Sequence, residues 1–290
     1  MTAGRWELFR ALGAVTDNPA GAASASQAVG LPRPDGAGHT EVFVLNCPPY
    51  ASVYLGAEGA LGGDGADRVA GFWRAIGLTP PPEPDHLAAL LGLYATLGEA
   101  AQDSHRPATE AALTRTRHVL LAEHLWPWLP SYLDAVTDLG IPALAGWARL
   151  TGQALLAEDR PQRGGPLPLA QRAAPPPVVA GGPYTGLLDA LTAPVRCGFI
   201  LTRRRLAAAA GDIGTGYRVG ERRFALHAMI EQAPAGALRW LAAEAARWSQ
   251  RHAAWAPGDP VQQWWARRAA ATGDVLHAAA TTAARHATVA

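Results

Sequence analysis

The sequence predicts an all-α protein, a compact helical bundle with additional C-terminal helices. Three observations lead there. Apolar residues recur at helical spacing through most of the 290 residues. Prolines and glycines fall where helices begin or stop rather than inside them. Strand patterning is confined to one short run, Val42-Phe43-Val44-Leu45, which ends at two prolines and reads as one extended segment leading into a helix.

Taken in order, Trp6, Phe9 and Leu12 form the first stripe. Residues 17–38 are rich in Ala, Gly, Pro and Ser and are expected to be flexible. Val69, Phe72, Trp73 and Ile76 follow the i, i+3, i+4, i+7 pattern, and Gly77 is a natural stop. Leu87, Leu90, Leu91, Tyr94 and Leu97 begin the next helix just after Asp85. Leu113, Leu120, Leu121, His124 and Leu125 continue until Pro127 breaks the pattern. Trp128, Leu129, Tyr132, Leu133 and Val136 make a further helix, and Leu144, Trp147, Leu150 and Leu155 another. Residues 159–183 are dense in Pro, Gly and Arg and read as a linker or long surface loop. Helices are expected again over 201–210, 218–232 and 234–255, where Pro234 suits a first turn, and from Val261 to about His286. The expected organisation is therefore a helical core over 1–158, a connection over 159–183, and a helical region over 184–290 that completes the bundle or adds a lobe.

Composition narrows the function. Hydrophobic residues make up 49% of the chain and charged residues 17%, enough apolar surface for a substantial core. The formal net charge of +1 argues against a general polyanion binder. All 25 basic residues are Arg, which excludes chemistry that needs a lysine: a Walker loop, a Schiff base, a kinase site. The two cysteines, Cys47 and Cys197, are too few for a disulfide framework or a Cys-rich zinc site and suit a reducing compartment. Residues 1–15 carry Arg5, Glu7 and Arg10 among apolar residues, so no signal-peptide core is expected there. No apolar run is long enough to span a bilayer. These features point to a cytoplasmic protein. No metal-ligand spacing is present, Gly214–Gly220 reads as an interhelical loop, and no nucleophile–base set can be assembled. No cofactor is implied.

Charge is unevenly placed. Between Glu41 and Asp103 eight acids stand against two arginines, whereas between Arg160 and Arg251 thirteen arginines stand against five acids. The densest basic clusters are Arg203-Arg204-Arg205 and Arg222-Arg223.

Three short elements carry the candidate site, each with two readings. Pro84-Asp85-His86 opens a helix: Asp85 as a cap of that helix, with His86 at its first position, or this helix end as a contact surface. Tyr50, Ser52 and Tyr54 precede Glu58: core packing and a solvated acid, or a peptide-groove lining with an acid for an incoming arginine. His124, Trp126, Trp128 and Pro130 surround a proline-broken junction: a hydrogen-bonded core histidine with buried indoles, or a hydrophobic wall.

In their order and spacing, Tyr50-Ala51-Ser52-Val53-Tyr54, Pro84-Asp85-His86-Leu87 and His124-Leu125-Trp126-Pro127-Trp128-Leu129-Pro130 resemble the TorD/DmsD/NarJ family of maturation chaperones for molybdenum-containing oxidoreductases. The resemblance covers roughly residues 40–157. It implies an all-helical TorD-like bundle and no enzymatic activity. It implies, as partners, the apo catalytic subunit of a molybdopterin oxidoreductase and its twin-arginine signal peptide, held until cofactor insertion. It also implies a monomer or a domain-swapped homodimer. The site it implies comprises Tyr50, Ser52, Tyr54, Glu58, Pro84, Asp85, His86, His124, Trp126, Trp128 and Pro130. Acids walled by Tyr and Trp would complement paired arginines followed by an apolar stretch. The competing expectation is a helical DNA-binding regulator that uses the Arg-rich C-terminal half.

Overall fold

A computed structural model describes residues 3–158, 165–179 and 184–289, and the chain is all-α. Among the described residues there is no strand, only an isolated bridge between Tyr50 and His86. No helix among them is long and apolar enough to cross a membrane. The chain folds as two compact units: residues 1–53 with 61–170, and residues 54–60 with 171–290.

In the first unit, helix Ala3–Ala14 packs along helix Leu87–Gln102. Two small residues bring them close. A Cβ on Gly98 would lie 2.5 Å from the Trp6 ring, and the Cβ position at Gly13 is 3.1 Å from the Ala88 backbone. Trp6 in turn donates its indole N–H to Gln102 at 3.0 Å and lies under the guanidinium groups of Arg5 and Arg117. Gly98→Ala should therefore destabilise the unit by about 1–3 kcal/mol through overpacking, although alanine is the better helix former by about 1 kcal/mol. Urea unfolding checks the sign; a stabilised variant would show that Trp6 can move aside.

Phe9 meets Tyr94 edge-on at 4.9 Å, and Trp147 donates to the Leu12 carbonyl at 2.9 Å. These contacts tie helix Pro142–Ala157 to the first helix. Beside them sits a buried charge knot. Glu158, 4% exposed, accepts from Arg117 at 2.8 Å, from Arg5 at 2.8 and 2.5 Å, and from the Tyr94 hydroxyl. Burial, and then Glu158, drive the Tyr94 pKa far above that of a free phenol.

Two expectations need correction. Residues 17–38 contain a helix, Pro19–Ala28. Asn18 caps it, accepting the Gly21 N–H at 2.7 Å, Pro19 sits in its first turn, and Ala22, Ala25 and Ser26 are buried. The small residues that suggested flexibility are the ones that let this helix pack closely. Val42–Leu45 is not extended either. Helix Gly36–His39, capped by Asp35, continues directly into a π-helical turn, Thr40–Asn46, and Cys47 donates to Val42 five residues back at 2.7 Å. A second π-helical segment, Leu120–Leu125, follows helix Pro107–Val119. It ends where Pro127 has no N–H to continue the ladder. Helix Leu129–Asp138 then resumes, with Pro130 in its first turn.

Of the expected connection over 159–183, residues 159–164 and 180–183 lie outside the described residues. The described part is irregular apart from the short helix Leu169–Arg172.

The second unit contains helices Arg203–Ile213, Arg222–Gln232, Pro234–Trp255 and Pro260–Val289, the last two forming a long antiparallel pair. Trp248, His252 and Trp265 fill its core, and the His252 ring donates to the Gly198 carbonyl at 2.8 Å. Glu244, 2% exposed, accepts from Arg205 at 2.8 Å, from Arg247 and from the Trp248 indole. Residues 54–60 join this unit at Gly59, which has φ +64. A Cβ there would lie 2.6 Å from the Thr192 carbonyl, so only glycine fits.

Candidate functional site

The residues around Tyr50 and His86 form a built corner of the first unit. Leu87 donates to the Pro49 carbonyl at 2.8 Å and Ala51 donates to the Asp85 carbonyl at 3.1 Å, which brings the two chain segments side by side. The Asp85 carboxylate, 3% exposed, accepts the Ser52 N–H at 2.9 Å. It therefore satisfies an otherwise orphaned donor at the start of the short helix Ala51–Leu55. This corrects the sequence reading. Asp85 does not cap its own helix; His86 does, its Nδ1 accepting the Ala88 N–H at 3.2 Å. The chain turns so that the Asp85 side chain reaches across 33 residues instead of forward.

Ser52 is fully buried and its hydroxyl accepts the Gly62 N–H at 3.2 Å. Gly65, in helix Gly63–Ala75, approaches so closely that a Cβ would lie 2.8 Å from the Ser52 Cα. That helix is thereby fixed against the corner. Its Trp73 donates to the Pro84 carbonyl at 3.2 Å, and its Phe72 ring lies 4.8 Å from His124. Phe72, Trp73 and Ile76 are all half-exposed, and Leu78 beyond the helix is exposed.

Tyr50 and His86 present their rings edge to face at 4.7 Å. Burial, and then the carboxylate of exposed Glu83, push the Tyr50 pKa up to about 12. Burial lowers the His86 pKa against the opposing pull of Glu83, Asp17 and Asp85. Asp17 and Glu83 thus share the electrostatic environment of this corner, and both are exposed. Neither was among the predicted contact residues. Glu83, within the Pro-rich run before Asp85, was legible as part of the acidic segment; Asp17 arrives from a distant stretch with no signal.

The remaining predicted residues lie elsewhere or inward. His124 is buried in the second π-helical turn, and Trp126, Trp128 and Pro130 are closed into the core, where the Trp128 indole donates to the His124 carbonyl at 2.8 Å. Pro84 is half-exposed. Tyr54 is buried, Glu58 is exposed, and both group with the second unit. The structure thus draws Tyr50, Ser52, Pro84, Asp85 and His86 together, with His124 behind helix Gly63–Ala75.

His124 also gives the unit a pH dependence. Burial, and then Arg68, lower its pKa from the ordinary 6.5 to about 4. The folded ring stays neutral where the unfolded one takes a proton. Stability is complete above about pH 6.5 and falls as pH drops toward 4, by up to about 1.4 kcal/mol per pH unit for one such group. His252 adds the same trend in the second unit, its pKa also lowered to about 4, chiefly by burial. Urea midpoints at pH 7 and 5 should show the loss, and His124→Gln should reduce it for the first unit, where burial also lowers the pKa values of His39 and His86.

Part of each basic cluster is engaged inside the second unit. Arg205 pairs with Glu244 and lies over Trp240 at 4.9 Å, Arg222 donates to the Leu201 and Gly59 carbonyls, and Arg223 pairs with Asp189 at 2.6 Å. Three of the five clustered arginines are thus engaged within the second unit, while Arg204 and Arg223 stay exposed.

Residues 37–134 match a family described as nitrate reductase delta subunit. Over 117 residues the chain is 37% identical to the Tat proofreading chaperone DmsD of Salmonella typhi, covering 38% of this chain and 52% of that protein. Identity to the DmsD proteins of Salmonella typhimurium and Salmonella paratyphi A is 36% and 35% over the same length. The chain spans about half the length of the curated relatives it matches. The matched family segment, 37–134, contains Tyr50, Ser52, Glu83, Asp85 and His86, but not Asp17.

Proposed function

We propose that this chain, whose residues 37–134 match the family described as nitrate reductase delta subunit, is a cytoplasmic maturation chaperone of the TorD/DmsD/NarJ type and not an enzyme. Its client is the apo catalytic subunit of a molybdopterin oxidoreductase, engaged through the subunit and its twin-arginine signal peptide before export. The observation that carries this reading is the corner itself. The exposed carboxylates of Glu83 and Asp17 act electrostatically on the Tyr50–His86 ring pair, and the half-exposed Phe72 and Trp73 lie on the helix bonded to Pro84, with Ile76 at its end. Paired arginines would meet the acids, and the apolar stretch after them would lie along the aromatic face. In this reading Asp85 and Ser52 position the corner, Tyr50 and Glu83 contact the peptide, and residues 184–290 add a helical lobe of their own.

The test has two steps. The tagged chain, pulled from its host, should recover a molybdopterin oxidoreductase catalytic subunit identified by mass spectrometry. A synthetic peptide spanning that subunit's twin-arginine segment should then bind with an affinity that falls as salt rises. Glu83→Gln should weaken it by about two- to fivefold, the size of an exposed charge pair. Recovery of nucleic acid without such a subunit, or salt-independent peptide binding, would sink the proposal.

A further inference from the structure

On one flank of the antiparallel pair in the second unit, helices Pro234–Trp255 and Pro260–Val289 leave a cavity of about 340 Å³ between them. That volume is at the small end of ligand sites. Its lining is uneven. Ala280, 2% exposed, and the half-buried Ala284 are its apolar part. Every polar side chain comes from Arg239, His277, Thr281 and Arg285, all exposed.

No carboxylate lines this cavity, and Asp274, one turn before His277, is not part of its wall. Among the described residues no hydrogen bond, ion pair or ring contact engages the side chain of Arg239, His277 or Arg285. Other arginines of the unit are used up inside it. Arg205 and Arg247 share Glu244, and Arg268 donates to the Pro175 and Val195 carbonyls. The Thr281 hydroxyl gives its proton to the His277 carbonyl at 3.0 Å, so the donors left to the cavity are two guanidinium groups and an imidazole N–H.

Helix direction brings the two arginines toward each other. A helical side chain leans toward the N-terminus of its own helix. The two helices run in opposite senses, so Arg239 leans toward Pro234 and Arg285 toward Pro260, and both approach Thr281. Two like charges gathered without a counter-ion repel, and an anion between them reverses the sign of the interaction. Each guanidinium is a planar fork that matches a pair of phosphate oxygens. A single carboxylate has one such edge and one charge, whereas a phosphate or diphosphate can meet both forks at once.

We infer that this cavity is a binding site for a small phosphate-bearing molecule, a phosphate monoester or diphosphate. Arg239 and Arg285 hold the phosphate oxygens, His277 adds a donor, and the organic part rests on Ala280 and Ala284. The site lies outside residues 37–134 and is independent of the Tyr50–His86 corner and of the client proposed for it.

The probe is inorganic diphosphate, titrated into the full chain by calorimetry in phosphate-free buffer at low ionic strength. Binding should saturate at one diphosphate per chain and weaken as salt rises. Arg239→Gln and Arg285→Gln, each folded by circular dichroism, should each weaken it by about five- to tenfold. Arg267→Gln removes the same charge from an exposed position on the same helix outside the cavity, and should change affinity by less than about twofold. Ala284→Leu keeps every charge, suits a helix and fills the space, and should weaken binding by about as much as either cavity arginine. An absence of saturable binding, an equal loss in Arg267→Gln, or full affinity in Ala284→Leu overturns the inference. A lipid headgroup presents the same oxygens, and sedimentation with phosphatidylcholine vesicles containing phosphatidic acid separates the two sources. The chain should stay in the supernatant; co-sedimentation that Arg239→Gln/Arg285→Gln abolishes overturns the assignment to a soluble molecule.

Discussion

Replacing Glu158 with alanine should destabilise the first unit by about 3–5 kcal/mol, the cost of leaving a buried charge uncompensated. The partner left behind is Arg117, itself only 8% exposed. It keeps the Tyr94 hydroxyl at 2.6 Å, but a phenol does not neutralise a guanidinium. Arg5 is less affected, because its side chain is 44% exposed and water can take over. The knot joins the first helix, helix Leu87–Gln102, helix Pro107–Val119 and the end of helix Pro142–Ala157, so its loss loosens four elements at once. For a domain of this size the melting temperature should fall by roughly 6–20 °C. The double variant Glu158→Leu/Arg117→Met removes both charges and should recover most of the loss, since an apolar replacement of a buried pair is often neutral or better. Thermal melts followed by circular dichroism check both. A single variant as stable as wild type would show that the knot is solvated in solution.

Asp85 separates scaffold from contact. Asp85→Ala leaves the buried Ser52 N–H without its acceptor and should cost about 1.5–3 kcal/mol. Asp85→Asn can still accept that N–H and should cost well under ~1 kcal/mol. With the carboxylate turned inward, a folded Asp85→Asn protein should bind a twin-arginine peptide within about threefold of wild type. Calorimetry on the two folded proteins decides. A loss of tenfold or more, about 1.4 kcal/mol, would return Asp85 to the peptide contact that the sequence resemblance implied.

What the sequence made legible was the set of helices whose ends are written locally. Gly77 stops one helix with φ +80, Pro127 ends the π-helical turn, and Pro142 and Pro234 open helices at the residues where they stand. What it hid was of two kinds. The helix at Pro19–Ala28 was obscured by composition, although Asn18-Pro19 is a cap followed by a first-turn proline. The other kind is pairing over long separations, for which one sequence has no periodic signal. Arg5 finds Glu158 across 153 residues, and Asp85 finds Ser52 across 33. The candidate site suffered most from this. Its motifs were visible, but which side chains turn inward depended on those pairings: Asp85 became a support, Trp126 and Trp128 became core, and Asp17 joined from outside the motif.

The cap formed by His86 has a consequence for what can bind beside it. Because Nδ1 accepts the Ala88 N–H, that nitrogen holds a lone pair, and the lowered pKa keeps the ring neutral. The tautomer is thereby chosen, and the single ring proton sits on Nε2. His86 can give a hydrogen bond from that nitrogen but cannot receive one. The neighbouring carboxylates of Glu83 and Asp17 have the opposite polarity and only receive. An extended peptide offers both a carbonyl and cationic N–H groups, so it answers both. A bare cation answers only half of the corner, and a carboxylate ligand, satisfied by His86, is turned away by the acids.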